Sequence, residues 1–323
     1  MTTHAQPPPA TSTSSPSQIN NITIIGIGTI GLSLCALYIS AGLPTYTLAL
    51  TILDPRPDLH AYVSRILPTF LDPKLHCLIP SIKLHTDYAA DLPAAVRSAD
   101  AIHEAGPENA NWKGRLWADV APHVAPHTLL WSATSGIPAS AQIAAARAHL
   151  LAPRLLVVHP YNPPHILPLL ELVPSPLTSL AALSTSQAFF SAQLKRSPVV
   201  LRKETRGFAT NRLAFALLRE ACALVNEGVC SVEDVDTVVQ GSMGPRWAVG
   251  GMFRSYAAGG GEGGLRAFWE KVGGTVGEVW EESAKGYGGE EWEETVTKQV
   301  QRAYGVPVSV EGRDEATRRV LEV

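Results

Sequence analysis

An uncharged run near the beginning of the chain restricts the possible folds more than any other sequence feature. From Ile19 to Leu53 there is no charged side chain, and an apolar stretch of that length could in principle cross a membrane as a helix. The run, however, is rich in Gly and β-branched residues, is broken at Gly42-Leu43-Pro44 and lacks a basic flank. These properties favour a buried strand–helix–strand unit over a membrane span.

A glycine-rich turn lies inside this unit. The apolar segment Asn21 to Ile25 predicts a buried strand, and the G-x-G-x-x-G pattern that follows opens an Ala/Leu/Ser-rich helix. In this pattern the first glycine makes the tight turn, the second admits a pyrophosphate, and the third lets helix and strand pack closely. The pattern therefore predicts a dinucleotide site formed by Gly26, Gly28, Thr29, Ile30 and Gly31.

An acidic residue follows the second predicted strand, Thr47 to Leu53. Asp54 lies near the offset of about 20 residues at which such an acid holds the ribose hydroxyls. A carboxylate there repels a 2′-phosphate, so NAD is the expected cofactor. Arg56 keeps NADP as the less favoured alternative cofactor. The alternative to a nucleotide site is a purely structural tight turn followed by a helix-capping aspartate.

Composition limits the class of protein. A chain of 323 residues predicts two domains. The net charge of −3 gives no reason to expect nucleic-acid or membrane partners. The four cysteines lack paired metal-ligand spacing and are interpreted as reduced intracellular thiols. Residues 1–18 predict a disordered tail without Lys or Arg, which gives no support to a signal or transit peptide, so a cytoplasmic location is expected.

Further strands alternate with helical segments, which predicts an α/β fold with a doubly wound parallel sheet of the Rossmann type. Ligands of such sheets bind beyond the carboxyl ends of the strands. Ser135 and His159 both lie at such ends and could share one site. The predicted strands of this group are Ala99 to His103, Leu129 to Ser132 and Leu155 to His159.

His159 is the candidate general base. A proline-rich loop separates it from the predicted strand Leu169 to Val173, and two strands around such a loop could bring His159 and Glu171 together. A histidine oriented by a buried carboxylate is a common general-base arrangement. A structural histidine is the alternative. A metal site is not expected, because His165 has no companion ligand motif.

The sequence changes character near Glu204, where a helix predicted over Leu213 to Glu227 begins a helical region. We therefore predict a nucleotide-binding domain over 19–203 and an all-helical domain over 204–323. On residue type alone, Asn211 would be a helix cap. The acidic pairs of the C-terminal region suggest a solvated helix face. Trp269, Trp280 and Trp292 could belong to an interface or to a core.

Taken together, these motifs resemble the 3-hydroxyacyl-CoA dehydrogenase superfamily over residues 20–255. Within it they are most similar to the lambda-crystallin, or L-gulonate 3-dehydrogenase, branch. Gly136 departs from the family pattern, in which Ser or Cys is usual. The matching segments are Gly26 to Gly31, Pro107-Glu108-Asn109, Thr134-Ser135, His159 to Pro164, Glu171, Gly207 to Arg212 and Ser242 to Ala248.

This resemblance implies residue roles. His159 would take the proton of the substrate hydroxyl while hydride moves to the nicotinamide, and Glu171 would orient its imidazole. Ser135 and Asn211 would hydrogen-bond the substrate oxygen. Glu108 and Lys113 would lie near the nicotinamide end of the cofactor and the substrate, and Arg246 would bind the substrate carboxylate unless it is only a surface arginine. The resemblance also implies that the domain over 204–323 contributes to substrate binding and forms a homodimer.

Several activities remain open at this stage. The leading expectation is NAD-dependent oxidation of a small 3-hydroxy acid such as L-gulonate. The main alternative is oxidation of a 3-hydroxyacyl-CoA, and a carnitine-type substrate is a third. A protein that only binds NAD is the non-catalytic alternative, which the intact set of Ser135, His159, Glu171 and Asn211 opposes.

Overall fold

The computed structural model describes residues 19–41, 48–283, 292–307 and 312–322. The predicted disordered tail, 1–18, and Thr47 lie outside these ranges. The chain divides into two compact units, Met1–Thr210 and Asn211–Val323.

The first unit is built on a single eight-stranded sheet with the strand order β3-β2-β1-β4-β5-β6-β7-β8. All neighbouring strands are parallel except β6 and β7. The strands are β1 (Asn21–Ile25), β2 (Ala49–Leu53), β3 (Lys83–His85), β4 (Ala101–Glu104), β5 (Leu129–Ser132), β6 (Leu155–Pro160), β7 (Leu169–Pro174) and β8 (Ser197–Val200).

Helices cover both faces of this sheet. One apolar cluster contains Leu34 and Phe190, and the other contains Trp117 and Ile143. Strands β4 and β5 are buried at every position, as expected for a parallel sheet enclosed between two helical layers. The helices of this unit are α1 (Thr29–Ala41), α2 (Leu59–Ile66), α3 (Tyr88–Arg97), α4 (Ala110–Val120), α5 (Ala139–Ala146) and α6 (Leu180–Ala188).

The predicted doubly wound fold is confirmed, with one departure from a fully parallel sheet. Strand β7 runs antiparallel to β6, and His159 pairs directly with Glu171 in their register. The connection between them is a short proline-rich loop, and a parallel crossover needs a dozen or more residues. The reversal therefore follows from the length of the loop, and it places two distant residues side by side.

The described residues of the second unit are helical, as predicted. The helix expected over Leu213 to Glu227 is α7 (Phe208–Asn226), which begins just before the division between the units. The others are α8 (Val232–Val238), α9 (Gly244–Gly250), α10 (Met252–Gly259), α11 (Gly264–Ser283), α12 (Trp292–Tyr304) and α13 (Arg313–Leu321).

Within the described ranges, no helix is long and apolar enough to cross a bilayer. The uncharged run from Ile19 onward instead contributes β1, α1 and β2, with Tyr38 and Ile39 fully buried.

Candidate active site

The glycine-rich turn connects β1 to α1 and closely approaches the end of β4. Gly26 has a φ angle of +94°, and a Cβ atom there would lie 2.9 Å from the backbone of Ala105. A Cβ atom on Gly31 would overlap the carbonyl oxygen of Gly26, whereas one on Gly28 would meet nothing within 4 Å. Two glycines are thus required by packing, and the third leaves open space in front of the N-terminus of α1.

A cleft of about 780 Å³ extends from this turn along the carboxyl ends of β1, β2 and β4. Asp54 borders it and accepts hydrogen bonds from the backbone N–H of Ile27 at 2.7 Å and of Arg56 at 2.9 Å. Bonds to the backbone fix the carboxylate at the end of β2. The open glycine, the helix N-terminus and the fixed acid together fit a dinucleotide.

The contact expected between His159 and Glu171 is present. Nδ1 of His159 lies 2.8 Å from Oε2 of Glu171, and their side chains are only 7% and 3% exposed. The ring of Phe208 packs beside the imidazole with 5.4 Å between ring centroids. A buried carboxylate at Nδ1 fixes the ring and, by accepting a hydrogen bond from the Nδ1–H group, leaves Nε2 as the basic nitrogen.

The second carboxylate oxygen of Glu171 holds the first turn of α7. Oε1 accepts hydrogen bonds from the backbone N–H groups of Ala209 and Thr210, both at 2.9 Å. Burial raises the pKa of Glu171, but hydrogen bonds from His159, from the Thr210 side chain and from these N–H groups outweigh it, so the pKa is lowered overall. Glu171 therefore remains a carboxylate and faces a helix N-terminus, where negative charge is favourable.

Ser135 lies in a loop beyond β5 that is organised by Glu108. Oε1 of Glu108 accepts hydrogen bonds from the Thr134 hydroxyl at 2.6 Å, from the Ser135 hydroxyl at 3.2 Å, and from the backbone N–H groups of Ser135 and Gly136 at 3.1 Å. A single carboxylate oxygen thus fixes three consecutive residues of this loop. A Cβ atom on Gly136 would make only ordinary contacts there.

Lys113 is buried in an ion pair that the sequence did not reveal. Its Nζ lies 2.6 Å from Oε1 of Glu104 and 3.8 Å from Oε2 of Glu108, and its side chain is 1% exposed. Glu104 also accepts hydrogen bonds from the Gly106 N–H at 2.7 Å and the Ser132 hydroxyl at 2.6 Å. The signal that could have indicated Glu104 is its position: an acid at the carboxyl end of a buried strand.

Asn211 and Arg246 belong to the second unit, in α7 and α9 respectively. Arg246 borders a cavity of about 430 Å³ within that unit, together with Trp247, Tyr256 and Lys271. The predicted contacts of Asn211 and Arg246 with a substrate remain predictions.

Two domains of one known protein family match most of the chain. Residues 21–205 match the NAD-binding domain of 3-hydroxyacyl-CoA dehydrogenase. Residues 207–301 match the C-terminal domain of the same family. NAD is therefore the cofactor, as Asp54 predicted, and the chain is an NAD-dependent oxidoreductase that acts on CH–OH donors.

Individual relatives agree with this assignment. A 3-hydroxyacyl-CoA dehydrogenase from Gibberella moniliformis is 33% identical over 262 residues, covering 79% of this chain and 77% of the relative. An L-carnitine dehydrogenase from Mesorhizobium japonicum is 33% identical over 257 residues, covering 79% of this chain and 68% of the relative.

Among solved structures, the NAD⁺-dependent dismutase 5-formyl-3-hydroxy-2-methylpyridine 4-carboxylic acid 5-dehydrogenase superposes with a TM-score of 0.71 at 25% identity. The match covers 94% of this chain and 99% of that one. The glycine turn and the pair of His159 and Glu171 are consistent with the family that both matched domains indicate. The chain belongs to the 3-hydroxyacyl-CoA dehydrogenase family.

Proposed function

We propose that the chain oxidises the 3-hydroxyl group of a small 3-hydroxy carboxylate, with His159 as the general base. The observation that carries this proposal is the buried pair of His159 and Glu171. It lies at the carboxyl edge of the same sheet whose strands β1, β2 and β4 border the NAD cleft. In α/β sheets this is the edge where ligand and reacting groups meet.

The proton transfer follows from the geometry of the pair. Nδ1 of His159 donates to Glu171, so Nε2 is available to take the proton of the substrate hydroxyl. NAD, when bound, would supply the nicotinamide that accepts the hydride leaving carbon 3 of the substrate. The imidazole becomes positively charged, and the carboxylate of Glu171, which is buried beside it, stabilises that charge.

Four other residues are assigned supporting roles. Ser135 and Asn211 would hydrogen-bond the substrate oxygen. Glu108 would hold the loop of Ser135 in place, which its four hydrogen bonds to that loop support. Lys113 would act through Glu104 and Glu108 rather than by touching NAD, because its ammonium is buried between those two carboxylates.

A small carboxylate is preferred as substrate on the evidence of the relatives. One relative is named for L-carnitine and the solved dismutase for a pyridine carboxylic acid. L-Gulonate, expected from the motifs around His159, is likewise a 3-hydroxy carboxylate. Arg246 is the residue that we assign to the carboxylate, because a guanidinium binds such a group through two hydrogen bonds.

A screen of NADH formation tests the substrate class. The purified chain is incubated with NAD and L-gulonate, L-carnitine, 3-hydroxybutyrate or 3-hydroxybutyryl-CoA, and kcat/KM is measured from NADH absorbance. We expect the highest kcat/KM with one of the free carboxylates. An Arg246→Gln variant should raise KM for that carboxylate about tenfold or more, whereas a matched Arg254→Gln variant should not. Highest activity on the CoA ester would contradict the proposal.

Oxidation of a 3-hydroxyacyl-CoA is the second candidate. It is favoured by the relative from Gibberella moniliformis, which bears that name and aligns over most of this chain. Both candidates use the same His159 and Glu171, so the screen separates them by substrate alone.

We also propose a homodimer formed through the second unit. Several large apolar side chains there are well exposed, among them Phe215, Phe253 and Trp280. Exposed aromatic side chains of this kind are typical of association surfaces. Sedimentation analysis should give twice the mass of one chain, and a Trp280→Glu exchange should shift the population towards the monomer.

A further inference from the structure

We propose that Asp58 and Tyr62 hold the guanidinium of Arg56 away from the NAD cleft, and that this restraint assists Asp54 in selecting NAD over NADP. This restraint acts on cofactor choice, whatever the identity of the substrate.

The sequence alone contains a conflict at the end of β2. Asp54 repels a 2′-phosphate, but Arg56 is the type of residue that binds one in NADP-dependent proteins. The backbone N–H of Arg56 donates to Oδ1 of Asp54 at 2.9 Å, so the two residues lie in one tight turn. Cofactor choice therefore depends on where the guanidinium of Arg56 is directed.

The structure shows that this guanidinium is already engaged. Its Nε lies 2.8 Å from Oδ1 of Asp58. Its Cζ lies 3.5 Å from the ring centroid of Tyr62, in a cation–π contact. Asp54 and Pro55 line the cleft of the glycine turn, and Arg56 is absent from that lining. The cation is thus bound beside the cleft rather than in it.

The position of Asp58 indicates that its carboxylate serves Arg56 rather than the helix. Asp58 is the N-cap residue of α2, a place where aspartate commonly accepts a backbone N–H, yet its side chain makes no capping hydrogen bond. Two other N-cap aspartates do cap: Asp72 accepts from Lys74 N, and Asp87 accepts from Ala90 N. The hydrogen bond from Arg56 also lowers the pKa of Asp58, which keeps the carboxylate charged.

The decisive measurement is the dissociation constant of the purified full chain for NADP and for NAD, by calorimetric titration. Serine at position 58 is too short to reach Arg56 but can still cap a helix. The exposed pair is weak, so we expect Asp58→Ser to tighten NADP binding by about two- to fivefold. NAD binding should stay within about twofold of the wild type. Adding Arg56→Gln to Asp58→Ser should abolish the gain.

Removing the repulsion enlarges the effect. Asp54→Asn retains an acceptor for the N–H of Ile27 but carries no charge. In that background, Asp58→Ser should tighten NADP binding by a larger factor than it does alone. Tyr62→Leu should add to the gain, and a thermal melt establishes whether that variant is folded. If it is not, Asp58→Ser and its Arg56→Gln partner still decide the question.

The control is Asp72→Ser, which alters a capping aspartate remote in sequence from Arg56 and should leave both dissociation constants unchanged. Unaltered NADP binding in Asp58→Ser, both alone and with Asp54→Asn, would overturn the proposal. So would a gain that survives Arg56→Gln. A third contrary result would be weaker NAD binding by about fivefold or more in the single Arg56→Gln variant, because Arg56 would then already contact NAD.

Discussion

Two buried histidines of the same sheet show how the partner of an imidazole decides what it can do. His103 lies in β4, is fully buried and is hydrogen-bonded through Nδ1 to the hydroxyl of Tyr38 at 2.6 Å. His159 lies in β6, is nearly as buried and binds the carboxylate of Glu171 through the same ring nitrogen. One imidazole thus faces a neutral partner and the other a negative one.

The difference in partners has an electrostatic consequence. Burial lowers the pKa of His103 to about 3, so this ring stays neutral at every physiological pH. Beside His159, the pKa of Glu171 is lowered, and its negative charge can balance a proton on the imidazole. The core therefore contains one histidine suited to packing and another suited to proton transfer.

The largest expected effect is the loss of activity in His159→Gln. The amide cannot take a proton, so kcat should fall by about 10³-fold or more, as for loss of a general base. His103→Gln is the matched exchange at the other site, and its kcat should stay within about twofold of the wild type. Steady-state rates of NADH formation measure both. Equal losses in the two variants would remove the distinction between the sites.

Glu171→Gln should have the next largest effect. Glutamine retains an oxygen for the N–H groups of Ala209 and Thr210 but cannot balance a charged imidazole. We expect kcat to fall by about 10²-fold, with the NAD dissociation constant unchanged. Unaltered kcat in a folded Glu171→Gln variant would show that the carboxylate only orients the ring.

The pH dependence of the free energy of unfolding should reveal the lowered pKa of His103. Its folded pKa is about 3, below the ordinary value of 6.5, so only the unfolded chain binds a proton between those values. The stabilising effect of a neutral ring is complete above pH 6.5 and is lost as pH falls towards 3. Between pH 7 and 5 the wild type should lose about 2 kcal/mol that His103→Gln does not lose. Urea unfolding at both pH values measures this difference.

Tyr38→Phe should give the smallest effect. It removes the neutral partner of His103 and leaves Nδ1 without its hydrogen bond. The free energy of unfolding should fall by about 1 kcal/mol, and kcat should not change. A fall in kcat comparable with that of Glu171→Gln would mean that the two histidines are functionally coupled.

The extent to which these features could be predicted differs between residues. The strands β1 and β5 were predicted with their observed limits, because short apolar runs bounded by turn residues have few alternatives. The His159–Glu171 contact was anticipated from two strands around a proline-rich loop. The short strand β3 and the ion pair of Lys113 with Glu104 were not, because short polar segments and long-range side-chain contacts leave little periodic signal.

The sequence by itself determined the Rossmann-type fold, the use of NAD and the position of His159 at the end of a strand. Each of these rests on local patterns: glycine spacing, an acid after a strand, and residues at strand ends. Tertiary structure alone decided that Glu171 also binds the first turn of α7, and that Arg56 is held by Asp58 and Tyr62. Such contacts join atoms whose directions are fixed only once the backbone has folded, so no local pattern specifies them.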